Sequence, residues 1–191
     1  MLSGGESLKP SFRDRKYPQL PMIGVGGVVI RQNRAVLIRR GSEPLKGEWS
    51  IPGGRLEVGE TIAEGVAREL LEETGLSVRV LELIEVFERI FHDAEPVPGP
   101  GSTQRANATD VPASAPPQHP PKLRRPLYHF VILDYLCESA EGEPQAGGDV
   151  TDVAFASEEE LGKFHLTPTA TRVIRKAFAL ARKRTDGGAG K

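Results

Sequence analysis

The chain has 191 residues, 25 Lys and Arg against 26 Asp and Glu, and one cysteine. That length suits one domain with a real core, and a net charge of −1 provides no bulk field to attract nucleic acid or a membrane surface. Cys137 alone makes no intramolecular disulfide, no apolar run approaches a membrane span of roughly 20 residues, and Met1 to Tyr17 lacks a signal-peptide core, so a cytoplasmic protein without nucleic-acid or membrane partners is expected.

Residues 1–20 mix Ser, Gly, Lys, Arg and Pro without periodicity and read as a flexible or loosely docked arm. Met22 to Ile30 is rich in Val and Ile and reads as a strand, softened by Gly24, Gly26 and Gly27. Glycines there point to a close approach, either of a ring such as a purine or of the neighbouring sheet. Gln32-Asn33 makes a turn, and Ala35 to Arg40 is the partner strand. Gly41 to Ser50 is a loop carrying Trp49, which either stacks on a base or packs behind the turn. Pro52-Gly53-Gly54 then permits a tight bend.

From Thr61 to Thr74 the chain lacks Pro and is rich in Ala, Leu and Glu, which predicts a helix ended by Gly75. Ala63, Val66, Ala67, Leu70 and Leu71 share one broad apolar face. Glu69, Glu72 and Glu73, at i, i+3 and i+4, gather on a different one. Their mutual repulsion, and their place in the last turn where the macrodipole disfavours negative charge, make a poor choice for stability alone. A hard cation such as Mg²⁺, which takes oxygen ligands, would relieve both costs. The competing reading is a solvated acidic face with Arg68 pairing to Glu72. Gly65, one turn before Glu69, would leave space there for a metal or substrate, and the glycine turn could aim a carbonyl at the same metal.

Ser77 to Phe91 is strand-rich, with Glu82, Glu85 and Glu88 either reaching the substrate or metal or, the favoured reading, facing water. His92 to Pro126 holds nine of the 16 prolines and cannot bury enough apolar surface to offset its ordering entropy, so it reads as a partly disordered insertion within one fold. Its basic exit, Lys122-Leu123-Arg124-Arg125, is either solvated or near a phosphate. Leu127 to Cys137 is an apolar strand with Tyr128, Phe130, Ile132 and Asp134 on one face and His129, Val131, Leu133 and Tyr135 on the other. Glu138 to Asp149 is a Gly-rich acidic loop, and Val153 to Ala156 a short strand. Ser157 and Glu160 have capping-box spacing for a short helix. Thr167 caps and Pro168 opens a final helix through Arg184, with Val173, Ile174, Ala177, Phe178 and Ala181 inward. Arg172, Arg175, Lys176, Arg182, Lys183 and Arg184 would be its wet faces, and 185–191 a disordered tail.

The spacing Gly54, five residues, Glu60, seven residues, then Arg68-Glu69-Leu70-Leu71-Glu72-Glu73-Thr74-Gly75-Leu76 resembles, at every defined position, the signature of the MutT-like Nudix hydrolases. The lead-in from Glu43 through Trp49 to Pro52-Gly53-Gly54 is similar to that of microbial ADP-ribose pyrophosphatases. So is Ala146-Gly147-Gly148-Asp149, except that Gly148 replaces the first acid of an Ala-Gly-Asp-Asp segment.

The resemblance implies an α/β fold, an α/β/α sandwich around a mixed central sheet, in a single domain over residues 21–184. It implies a pyrophosphohydrolase using Mg²⁺ or Mn²⁺ on a nucleoside diphosphate derivative. ADP-ribose leads, giving AMP and ribose 5-phosphate. A nucleoside triphosphate or oxidised nucleotide is the alternative substrate, and a non-catalytic nucleotide sensor the alternative class. By the resemblance, Glu69, Glu72, Glu73 and the Gly53 carbonyl are the metal ligands, Arg68 orients the glutamates, Gly54 is a supporting position, and Glu60 supports the loop or a second metal. Glu72 and Asp149 are both candidates to accept the catalytic proton. Arg39, Trp49 and Arg125 are candidates for substrate contact, and a homodimer is open.

Overall fold

In the computed structural model the described residues are 16–92, 126–139 and 142–188. Residues 1–15, the proline-rich stretch 93–125 with its candidate Arg125, and the terminal 189–191 lie outside them.

Strands β1 (Met22–Arg31) and β2 (Arg34–Arg40) are joined through Gln32 and Asn33. Both residues have positive φ, 50° and 58°, as a two-residue hairpin requires. β1 pairs with β2 through Ile30 and Arg31, next to the turn. Lower down it pairs antiparallel with β4 (Gly53–Arg55) through Gly24, Val25 and Gly26. Its other edge runs parallel to β6 (Tyr128–Ser139), from Met22 opposite Phe130 to Val29 opposite Cys137. β6 pairs antiparallel with the long outer strand β5 (Val78–Phe91). β2 carries β3 (Trp49–Ser50) and β7 (Val150–Ala156), completing a seven-stranded mixed sheet.

Helix α1 (Ile62–Thr74) covers one face of the sheet and α2 (Pro168–Gly188) the other. The alternation on β1 and β2 explains this: Val29 and Val36 face α1, while Val28 and Leu37 face α2. Under α1 lie Val25, Val66, Leu70, Leu76 and Cys137; under α2 lie Leu136, Val173, Ile174, Ala177 and Phe178. Each such fully buried aliphatic or aromatic side chain contributes roughly 1.5–3 kcal/mol.

Thr61 caps α1 in a reciprocal capping box with Glu64, and Gly75 closes it at φ 69°, donating its N–H to Leu71 O. The helix is rolled relative to the expected apolar face. Ala63 and Leu71 are exposed, and Gly65, Val66, Leu70, Glu73 and Thr74 are the buried positions. The roll brings Glu73 inward, against the glycine turn.

Three further expectations are corrected. Ser157 N–H donates to Glu160 at 3.1 Å, but its hydroxyl turns to Glu159, so the box is half made and only a 3-10 turn, Leu161–Phe164, follows. α2 continues to Gly188, past the boundary at Arg184. Glu85 does not face water: Arg172 and Lys176 of α2 close on it at 2.9 and 2.7 Å, so these two bases are not merely solvated. In the N-terminal arm, Tyr17 donates its backbone N–H to Leu127 O.

Candidate active site

The turn between β3 and β4 and the last two turns of α1 are built to touch. Gly53, at φ 153°, lies so close to Val25 O and Gly26 that a side chain there would collide with the β1 backbone. A Cβ on Gly54 would overlap the Glu69 carboxylate. The two glycines therefore let the acidic helix face press directly on a backbone turn.

Glu73 carries the consequence. It is 6% exposed, and one carboxylate oxygen accepts the Gly53 N–H at 2.7 Å. Burial pushes its carboxyl up to about 8 despite that bond; the charges of Glu69 and Asp149 push the same way, and Arg40 opposes them.

Arg68 ties the rest together. Its guanidinium donates to both oxygens of Glu60, at 2.6 and 3.0 Å, to Glu69 at 2.7 Å and to Arg55 O at 3.0 Å. Glu72 lies 3.8 Å from it. The Arg68 hydrogen bond and that from Glu57 N–H hold the Glu60 carboxyl below its usual range. Gly65 does not open space for a ligand as expected. A Cβ there would meet Leu56 at 2.7 Å and Glu60 at 3.2 Å, so its role is to seat those two side chains.

Asp149 joins the site through the loop before β7. Gln145 N–H and Gly147 N–H bind the last carbonyls of α1, on Thr74 and Glu73, satisfying acceptors that the helix end leaves open. Gly41 N–H binds Asp149 O, and the Ser42 hydroxyl binds the Asp149 carboxylate.

These groups open on a cavity of about 460 Å³. Glu69, Glu72, Glu73, Arg68, Gly53, Gly54 and Asp149 line one part of it. Phe87, Phe91, Phe130, Ile132, Arg89 and Asp134 line another. Two expected contacts are not brought to it. Trp49 sits edge-on to Phe164, ring centroids 5.1 Å apart, and packs into the α2 core. Arg39 turns away and donates to Gly47 O at 3.0 Å. The neighbouring Arg40 lines the cavity instead, its side chain steadied by Pro44 O.

Among the described residues, no three His, Cys, Asp or Glu side chains are arranged as they stand to hold a metal ion. Glu69 is turned to Arg68 and Glu73 to the Gly53 amide. The donor chemistry nevertheless suits a hard divalent cation, because the lining holds carboxylates and carbonyls and neither His nor Cys. The cost of ionising Glu73 beside Glu69 and Asp149 is one that such a cation would offset.

The family described as NUDIX domain matches residues 20–178. An ADP-ribose pyrophosphatase from Methanocaldococcus jannaschii is 29% identical over 79% of this chain and 72% of its own length. A MutT-like protein from Streptomyces ambofaciens is 47% identical over a shorter stretch, 37% of this chain and 45% of its own length. A MutT NUDIX hydrolase from Burkholderia pseudomallei has the same fold, with a TM-score of 0.58 at 22% identity over 83% of this chain and 98% of that one. Among the described residues, no helix is long and apolar enough to cross a membrane.

Proposed function

The chain belongs to the NUDIX domain family, and from that premise we propose that it hydrolyses the diphosphate linkage of ADP-ribose, giving AMP and ribose 5-phosphate. The observation that carries this reading is the meeting of Glu69, Glu72, Glu73 and Asp149 on one cavity that also has an apolar, aromatic wall. A diphosphate with an organic group attached needs both surfaces. The similarity to the archaeal ADP-ribose pyrophosphatase supports the choice of substrate.

Glu69, Glu72, Glu73 and the Gly53 carbonyl would hold the cation, Mg²⁺ or Mn²⁺. When bound, it supplies neutralisation of the diphosphate charge and lowers the pKa of water. The remaining work belongs to side chains. Arg40, on the cavity wall beside Glu73, binds phosphate oxygens. Arg68 keeps Glu69 and Glu60 in register with the turn. Glu72, with 37% of its side chain exposed, is open to the cavity, and Asp149 is held at its rim by Ser42. Each is placed to accept the proton of an attacking water, and the two single substitutions separate them. The near-even charge balance favours a small nucleotide over nucleic acid as partner and fits a cytoplasmic enzyme.

The test is a panel of ADP-ribose, NADH, diadenosine polyphosphates, and normal and 8-oxo nucleoside triphosphates, with Mg²⁺ and with Mn²⁺, resolved by chromatography. AMP and ribose 5-phosphate from ADP-ribose are expected. Triphosphate cleavage to monophosphate and pyrophosphate, with ADP-ribose untouched, would overturn the substrate. Nucleotide binding without any turnover would overturn catalysis.

A further inference from the structure

The cavity has two poles, and the hydrolase reading uses only one. The charges that act on Glu73 are Glu69, Arg40 and Asp149; those that act on Asp134 are Glu85 and Arg89. Arg40 acts on Arg89 as well as on Glu73, so the two poles adjoin along the same cavity wall.

At the second pole Asp134 is 3% exposed, at the centre of β6, and it lines the cavity. Among the described residues its carboxyl has no hydrogen bond and no ion pair within 4 Å. A buried acid that served only the fold would be bonded. The fold does have bases nearby, but it directs them elsewhere. Arg172 and Lys176 close on Glu85, the residue opposite Asp134 on β5. Arg89, on the same sheet face two rungs along, lies 5.9 Å from the centre of the Phe91 ring and has no acidic partner within 4 Å among the described residues.

The neighbouring strand is shaped around this carboxyl. Gly26 pairs with Asp134 across the β1–β6 ladder, and a Cβ on Gly26 would run into Asp134 Oδ1. One pair down, a Cβ on Gly24 would press on Ile132 at 3.2 Å. The result is a low floor of two glycines and Ile132, with Phe87 and Phe130 on the cavity wall, and a carboxyl and a guanidinium that attract each other without forming an ion pair within 4 Å among the described residues. A flat ring with a polar edge fits such a surface.

We propose that Asp134 is the specificity-determining residue of the cleft: it accepts an N–H from the edge of a nucleobase lying over Gly24, Gly26 and Ile132, while Arg89 donates to an acceptor on the same base. The inference rests on the hydrolase reading only for the diphosphate at the other pole. Burial, and Glu85 behind it, push the Asp134 carboxyl up to about 7 against the pull of Arg89, so its ionised form is costly here and a ligand N–H would offset that cost.

Calorimetric titration of the full chain with AMP, GMP, purine riboside 5′-monophosphate and ribose 5-phosphate tests this without requiring turnover. Unsubstituted purine has the same ring and no N–H on that edge. The wild-type chain should bind AMP or GMP about tenfold or more tightly than the purine analogue. Asp134→Ala and Arg89→Ala, which remove the acceptor and the donor outright, should each bring that ratio to within roughly twofold of unity, with ribose 5-phosphate binding unchanged. Gly26→Ala, which moves the carboxyl without removing it, should do the same. A wild-type chain that does not distinguish the bases, or variants that melt lower with the ratio intact, would overturn the proposal. Hydrolysis of ADP-ribose with no base discrimination leaves the hydrolase reading standing and sinks this one. Base discrimination without hydrolysis does the reverse.

Discussion

At the α1 end of the cleft, Glu60, Glu69 and Glu73 share one arginine and two backbone amides, and each has a bonded partner. At the β5–β6 end, Asp134 and Arg89 share one sheet face and no bond joins them. Both ends hold charge under little solvent, yet only the first is finished by the protein. A satisfied network fixes geometry, whereas an unsatisfied pair leaves binding capacity for something else. The first end is suited to holding reacting groups still, and the second to recognising what arrives.

If that contrast is right, the largest effect belongs to the finished end. Glu73→Gln and Glu72→Gln should each lower kcat on the preferred diphosphate by about a hundredfold or more, while the melting temperature barely falls. Full activity in both variants would end the catalytic reading.

Next comes the network itself. Arg68→Ala leaves Glu60 and Glu69 half-buried without their cation and should cost roughly 3 kcal/mol in urea unfolding, with Arg68→Lys recovering part of it. Arg68 is 23% exposed, which keeps the figure below that of a fully buried pair.

The third effect is in pH. Glu73 titrates near 8 when folded and in the ordinary carboxylate range when unfolded. The unfolded chain therefore gives up its proton first, and metal-free stability is greatest below pH 4.5 as far as this group is concerned. That contribution falls as pH rises to about 8, by up to a few kcal/mol. Glu73→Gln should flatten the decline, and excess Mg²⁺ should reverse it. A melting profile that is the same in wild type and variant would show that Glu73 is not the source.

The smallest effect sharpens the contrast directly. Glu85 and Asp134 face each other across one ladder pair, one gripped by two bases and one by none. Glu85→Gln should destabilise the chain by about 1 kcal/mol, whereas Asp134→Asn should be neutral or stabilising by a similar amount at pH 8. Equal losses in both would mean that Asp134 is bonded within the fold after all.

The sequence made the finished end legible because its parts are local. Glu69, Glu72 and Glu73 lie within five residues, and the glycines that meet them are in one turn, so helical spacing alone brings the carboxylates together. The second end was not legible. Alternation places Asp134 on one face of an apolar strand and nothing more, because Gly26 reaches it only through a parallel pairing that no local pattern specifies. Glu85 read as solvated because its partners Arg172 and Lys176 lie 87 and 91 residues further along. The strand glycines resolve by face. A Cβ on Gly27 would meet Leu70 and Cys137 under α1, at 2.8 and 2.9 Å, while Gly24 and Gly26 lower the floor of the cleft. Trp49 shows the converse: composition made it a candidate for stacking, and only the position of Phe164 decides that it packs.

The pairing of Phe91 with Tyr128 has a bearing on how the gene can change. The chain leaves β5 and re-enters β6 from facing positions, and Leu127 N–H binds Phe91 O at 2.7 Å. Whatever runs between them closes a loop whose ends are already side by side. The entropy of such closure grows only logarithmically, about 0.6 kcal/mol for each doubling of length. Insertions and deletions between these two rungs therefore cost the sheet little, because the pairing that holds β5 to β6 does not depend on the length of chain that joins them.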